Sequence, residues 1–398
     1  MRISTANAFD LGIDTLSTRA AELSDAQARM ASGKRIAKAS DDPAGAARAE
    51  HALAGILRAD TSQRSVDASQ RAMSQAENAM GDAGNLLQQA REAMVAAGNS
   101  SYTDNERQTL AEQIRLVRDQ LLEVANRTDG AGSYLFAGHG ANQRPFVDVP
   151  GGVQFVAAPG ALGTDSTTAL PLTVDGSASW LAARTGNGVF ETRAGAGVTT
   201  AQIDNGQVSD PTLLTGADYT LQFSGSAAST TYAVLKNGVA TAVTAAPYIS
   251  GRAINIDGMT MSVSGAPVAG DQFQIVPSTP TLSIFDTLDR AAVALSTPGR
   301  TGSEIAQTNA DGLRDLDSVM NTMLAARSLA GAVLNRIDSE TDRIGTQKLT
   351  SQTVRSNAED LDMVAAISTF TNKQSGYDAA LKSYSMVQRL SLFQYLNG

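Results

Sequence analysis

The chain has 398 residues, 31 basic against 40 acidic side chains, a formal net charge of −9, two histidines and no cysteine. Acidity, with no basic cluster beyond Lys34-Arg35 and Lys38, makes nucleic acid and anionic membrane poor partners, and the missing cysteine excludes disulfides and thiolate chemistry. The length exceeds what one core serves, so two or three domains are expected.

Nine of the 11 prolines fall between Pro145 and Pro280, so the flanks are free to form long helices and the middle is not. No run approaches about 18 consecutive apolar residues, so membrane insertion is not expected. The opening Met1-Arg2-Ile3-Ser4-Thr5-Ala6-Asn7 lacks the apolar stretch of a signal peptide, so any export is expected to proceed without a cleaved one.

From Phe9, apolar or small residues recur at Ile13, Leu16, Ala20, Leu23 and Met30, with Gln27 inside the series. This 4-3 spacing keeps one face of a helix aimed at a partner helix. The helix is expected to end at Ser32, with Gly33 as its left-handed cap. After an irregular connector, Asp41-Asp42-Pro43 restarts the helix. Asp42 serves as N-cap and Pro43 occupies the first turn, where no NH is needed; the two aspartates read as a cap rather than a catalytic pair.

No proline interrupts residues 44 to 97, where Val66, Met73, Met80, Leu87 and Met94 recur every seven residues with Ala76, Ala83, Ala90 and Ala97 between them. Such a helix spans roughly 80 Å and its Met and Ala stripe needs a neighbouring helix. Thr103-Asp104-Asn105-Glu106 is a capping box, and Leu110, Ile114, Val117, Leu121 and Val124 carry the next stripe to Asp129-Gly130. Gly132-Ser133-Tyr134-Leu135-Phe136-Ala137-Gly138, with Pro145-Phe146-Val147 beyond it, predicts a hairpin lying on the helices.

Residues 150 to 280 alternate with period two in Tyr219–Phe223, Thr231–Leu235, Ala253–Ile256 and Phe273–Val276, and Asn237-Gly238 suits a two-residue hairpin turn. An inserted antiparallel β domain is expected. Helix resumes at Ile284, Leu288, Ala291 and Leu295, and again from about Ser303 through Leu316, Met323, Ala330, Ile337 and Ile344. Finally Met363, Ile367, Phe370, Tyr377, Leu381 and Tyr384, with Gln374 among them, repeat the 4-3 spacing of the N-terminus.

The fold class is therefore multidomain α+β, with long terminal coiled-coil helices forming a rod and an inserted antiparallel β domain. The expected division is 1–42 with 345–398, 43–147 with 282–344, and 148–281. Each terminal stripe requires a partner. The stripe residues Phe9, Ile13, Leu16, Leu23, Met30, Met363, Ile367, Phe370, Tyr377, Leu381 and Tyr384 are expected to contact both the other end of the chain and neighbouring molecules. A helical hairpin closing an ordinary domain is the plainer alternative. Catalysis has little to work with. His51 and His139 are the two histidines, Glu50-His51 does not extend to a zinc motif, and no phosphate-binding loop occurs. No enzyme, cofactor or metal site is expected.

Residues 23 to 49, including Arg29-Met30-Ala31-Ser32-Gly33-Lys34-Arg35-Ile36 and Ala39-Ser40-Asp41-Asp42-Pro43-Ala44-Gly45, resemble the N-terminal signature of the bacterial flagellin superfamily, and Asp360 to Leu396 its closing helix. Within it, Met1-Arg2-Ile3-Ser4-Thr5, the Gly132–Gly138 run followed by Pro145-Phe146, and Leu390-Ser391-Leu392-Phe393-Gln394-Tyr395-Leu396 are similar to the hook–filament junction branch. The likeness covers about residues 1–147 and 282–398. It implies a structural subunit whose ends form an inner tube, with the middle helices as the next shell and the β domain as the outer surface. It further implies export unfolded through the flagellar type III apparatus to an extracellular flagellum, and a chaperone on the C-terminal region. Leu390, Leu392, Phe393 and Leu396 suit either that chaperone or a lumen-facing contact. The implied partners are copies of itself in a ring or helical turn, a neighbouring hook-associated protein, and flagellin. A filament flagellin is one alternative, and an adhesin acting through its β domain is another.

Overall fold

The computed structural model describes residues 5–140, 142–164, 169–225 and 229–396, except for the side chains of 5–9 and 387–396. The order is α1 (Thr5–Ser32), α2 (Pro43–Ala97), α3 (Asp104–Ala125), β1 (Phe146–Val149), β2 (Gly152–Phe155), α4 (Gly176–Leu181), β3 (Phe190–Ala194), β4 (Ala201–Ile203), β5 (Gln207–Val208), β6 (Tyr219–Ser224), β7 (Thr231–Lys236), β8 (Val239–Ala240), β9 (Ala246–Pro247), β10 (Ala253–Ile256), β11 (Met259–Gly265), β12 (Gln272–Pro277), α5 (Ile284–Ser296), α6 (Gly302–Glu359) and α7 (Met363–Leu396). Long terminal helices thus enclose an inserted antiparallel β domain. Two compact units are distinguished: Met1–Arg64 with Glu340–Gly398, and Ser65–Ser339.

Local chemistry starts and stops the helices of the second unit. Thr103 and Glu106 close a reciprocal capping box on α3, Ser283 caps α5, and Thr301 with Glu304 does the same ahead of α6 (2.7 and 3.2 Å). Met80, Leu87 and Met94 alternate with fully buried Ala76, Ala83, Ala90 and Ala97, and they pack with Ile114, Leu121, Leu288, Leu316 and Val319. Small residues let the helix backbones approach while Met fills the irregular gaps. Gly312 belongs to this fit, since a Cβ there would sit 2.4 Å from the Met94 methyl.

The β domain has its own core. One sheet runs β3-β12-β6-β7-β8 with β9 on β7, and the other β10-β11-β4 with β5 on β11. Alternate residues Tyr219, Leu221 and Phe223, Met259, Met261 and Val263, and Phe273 and Ile275 point into a cluster that does not merge with the helical one. Asn237 and Gly238 at φ 50° and 77° form the tight turn between β7 and β8. The two connections to the helices pair with each other: Ala183 and Leu282 exchange backbone hydrogen bonds (3.1 and 2.9 Å), and Thr185 donates to Thr279 (3.0 Å).

The expected hairpin takes a different form. Phe146–Val149 pairs with Gly152–Phe155 rather than with the Gly132–Gly138 run. That run instead crosses the helices. Leu135 donates to Arg127 and accepts from Val174, and Phe136 accepts from Gly176. Buried Leu135 and Phe136 hold it down. A turning chain held between two segments satisfies its backbone groups through isolated bridges rather than a strand ladder. Residue periodicity does not mark α4, whose Trp180 is fully buried, parallel to Phe285 at 6.0 Å and edge-on to Phe136 at 5.4 Å.

Trp180→Ala is expected to destabilise the helical core by about 3–5 kcal/mol in urea unfolding. The buried indole nitrogen lacks a hydrogen-bond partner among the described residues, so Trp180→Phe should cost clearly less.

Candidate assembly surface

The first unit brings the two ends of the chain together. The Arg35 amide donates to the Glu359 carbonyl (2.7 Å) and the Leu361 amide to the Gly33 carbonyl (3.0 Å). Lys34 and Arg355 both reach the Glu359 carboxylate (3.2 and 2.9 Å), and Arg35 donates to the Ala358 carbonyl (2.7 Å). Asp362 then accepts from the Val364 and Ala365 amides (3.0 and 3.1 Å), which starts α7. From this joint α1 and α7 run antiparallel, with Arg19 beside Gly376 and Gly12 against the Tyr384 ring.

The two heptad rows fare differently. Leu16, Leu23, Met30, Phe370, Tyr377 and Tyr384 are half-buried, whereas Ile13, Met363, Ile367 and Leu381 remain 45, 45, 51 and 40 % exposed. Beyond the first turn of α7 the split follows the seven-residue repeat: 370, 377 and 384 are covered, although Met363 of the same row is exposed, while 367, 374 and 381 face outward. In a two-stranded coiled coil one partner covers both rows, so the exposed row shows that α1 and α7 meet off-centre on their stripes and leave apolar surface for a further neighbour. Leu11 and Val364, outside the expected set, are also exposed, and so are Leu349 and Val354 near the end of α6. Being off the regular spacing, they carried no periodic signal. The side chains of Phe9, Leu390, Leu392, Phe393 and Leu396 lie outside the described residues.

The connector between α1 and α2 is held by two carboxylates. Asp41 accepts from the Ala37 and Lys38 amides (both 3.1 Å), and Asp42 accepts from the Gly45 amide (2.9 Å) and pairs with Arg35 (3.1 Å). Pro43 is the first residue of α2. The Lys38 and Ala37 amides hold the Asp41 carboxyl below its ordinary value, and the Gly45 amide and Arg35 do the same for Asp42. Among the described residues no group of three or more His, Asp or Glu is placed to hold a metal ion, and no helix is long and apolar enough to cross a membrane.

Paired terminal helices around an inserted β domain define a flagellin-type subunit. The family described as bacterial flagellin N-terminal helical region matches residues 3–141, and the bacterial flagellin C-terminal helical region matches 313–396. Between them, residues 192–277 match the D2-like domain of flagellar hook-associated protein 1. Flagellar hook-associated protein 3 of Escherichia coli K12 is 27 % identical, with 99 % of both chains covered. The crystal structure of FlgL from Xanthomonas campestris is 30 % identical, covers 76 % of this chain and 99 % of its own, and superposes with a TM-score of 0.67. The flagellar junction protein FlgL of Legionella pneumophila is 29 % identical, covers 70 % of this chain and 94 % of its own, and has a TM-score of 0.64. The chain belongs to the FlgL family, the third of the flagellar hook-associated proteins. It is a structural protein of the flagellum with a junction role.

Lowering the pH tests the connector. A carboxyl whose folded pKa is depressed contributes stability above its unfolded value, about 4, and loses it as pH falls through the folded one. Protection of the Gly45 amide, corrected for intrinsic exchange, should therefore drop below about pH 4 while amides of the α2 interior stay protected.

Proposed function

We propose that the chain joins the flagellar hook, through a neighbouring hook-associated protein, to the flagellin filament, and that it does so by completing the half-used stripe of its terminal helices. The observation that carries this reading is the split between covered and uncovered rows. Leu16, Leu23, Met30, Phe370, Tyr377 and Tyr384 hold α1 on α7 within one chain. Ile13, Met363, Ile367 and Leu381 are offered to adjacent subunits, and Phe9 is proposed with them from its place in the N-terminal stripe. The four are about half exposed, so at about 1.5–3 kcal/mol for full burial of each side chain, covering the rest yields on the order of 3–6 kcal/mol gross per subunit. Helices of this length are marginal without tertiary support, so their full order is expected on assembly, which confines polymerisation to a growing tip. Contacts that repeat along such a structure are heterologous, giving a ring or an open helical turn.

In this reading 1–42 with 345–398 is the inner tube domain, 43–147 with 282–344 the next shell, and 148–281 the outer surface. The role is structural rather than catalytic. The subunit is exported through the flagellar type III channel to the cell exterior, a passage that suits a chain with no cysteine to cross-link. Leu390, Leu392, Phe393 and Leu396 are the proposed site for an export chaperone, and later for a lumen-facing contact. Filament flagellin is the second reading, favoured by the two flagellin helical-region matches. Purified chain that grows unaided into long filaments would support it.

Ile367→Glu with Leu381→Glu alters outward-facing positions, so the monomer should keep its circular dichroism and melting temperature. Cells carrying the pair should lose motility and release flagellin into the medium instead of building filaments. Tyr377→Ala should instead speed amide exchange along α1 and α7 in the monomer. Normal filaments from the double variant would refute the assembly assignment.

A further inference from the structure

The helical core and the β core are separate clusters, with the boundary between Ala183 and Phe190 on one connection and near Leu282 on the other. What lies between them on α6 is polar. Gln307, Asp311, Arg314, Asp315 and Ser318 fall on one face of the helix by their 4-3-1-3 spacing, and each is engaged in the joint. The Arg314 side chain is 7 % exposed. Its guanidinium donates to the Thr192 carbonyl of β3 (3.2 Å), to Asp311 (2.9 Å) and to Asp315 (3.0 Å), and lies 3.8 Å from Glu191. Glu191 is gripped on its other side by Arg193 through two 2.8 Å bonds, and Asp315 by Arg290 at 3.1 Å. Three guanidiniums thus meet three carboxylates in a closed, neutral set. Beside it, Gln307 accepts from the Ile203 amide of β4 (2.7 Å) and donates to Asp311 (3.0 Å), and Ser318 donates to the Arg184 carbonyl (2.5 Å).

We infer that the Arg314 network is an orientation lock, which fixes the angle at which the β domain stands on α6. Apolar contact is non-directional and tolerates sliding, whereas a planar guanidinium fork satisfied on several edges accepts one geometry. A buried ion network contributes little net stability compared with apolar packing of the same shape, and specificity is what it can add. Asp311 is partly buried in this polar joint, its side chain 31 % exposed. That burial outweighs the nearby Arg314 charge and the Gln307 amide and pushes the Asp311 carboxyl up from its ordinary value. Arg314 is here a positioning residue: it acts on the β domain within the chain. The lock stands independently of how copies of the chain assemble, so it is tested on the monomer.

Because the chain has no cysteine, two introduced cysteines carry two spin labels without background. Ala240→Cys on β8 and Gln113→Cys on α3 are exposed positions for electron–electron double resonance. The otherwise unaltered chain should give one narrow distance distribution. Arg314→Met with Asp311→Asn removes the fork without stranding the carboxylate beside it, and should broaden the distribution by about twofold or more with secondary structure retained. Arg314→Lys should not restore the narrow distribution, since one ammonium cannot reach β3 and both flanking aspartates together. Gln307→Met, which alters no charge, should broaden it to a smaller extent, and it decides the matter should the double variant fail to fold. A distribution that stays narrow in folded Arg314→Met/Asp311→Asn, or in Gln307→Met where that variant alone folds, would overturn the lock and leave orientation to the paired connections.

Discussion

Two backbone hydrogen bonds, from Arg35 to Glu359 and from Leu361 to Gly33, fix where the beginning of the chain meets its end. The Lys34–Glu359 ion pair beside them spans 325 residues of sequence. Everything between is an excursion that must return to the same point, so the helices leave and come back as pairs and the β domain enters and exits through adjacent connections. Closing a loop costs only logarithmically more as the loop lengthens. An insertion the size of the β domain is therefore cheap to carry once the ends are joined, and its surface is free of the constraint that governs the ends.

The joint also explains why the stripe is only half used. Two antiparallel helices in full coiled-coil register would cover both rows of each heptad, but α1 and α7 meet mainly through one row each. In α1 and α7 that row is Leu16, Leu23 and Met30 against Phe370, Tyr377 and Tyr384, and Gly12 leaves room for the Tyr384 ring. The uncovered row is the surface proposed for assembly. It is apolar enough to bind, yet broken by Gln27 and Gln374, which weaken association with the wrong partner.

Much of this was legible in residue order because it rests on short-range chemistry. The capping box at Thr103, the Asn237-Gly238 turn and the seven-residue repeats of α2 and α7 each depend on neighbours within about a turn or two. The Gly132–Gly138 run misled for the opposite reason. Its β-forming residues are real, but its hydrogen-bond partners Arg127, Val174 and Gly176 are supplied from both sides by segments that look unremarkable alone. Trp180 was equally mute: one aromatic in a Thr- and Ala-rich stretch has no period, and its place beside Phe285 exists once α5 has packed.

The candidate surface divides along the same line. Periodicity named the stripe residues of both ends, since a helix of 3.6 residues per turn gathers any 4-3 series onto one face. It could not say which row would be covered, because that depends on the rotation of α1 against α7, a relation between residues far apart in the chain. Nor could it foresee the Arg314 network, whose members come from β3, β4, α5 and α6 and show no motif in order. Local pattern settles which face of an element is sticky; the partner that face meets is settled by packing, where distant segments compete for the same space.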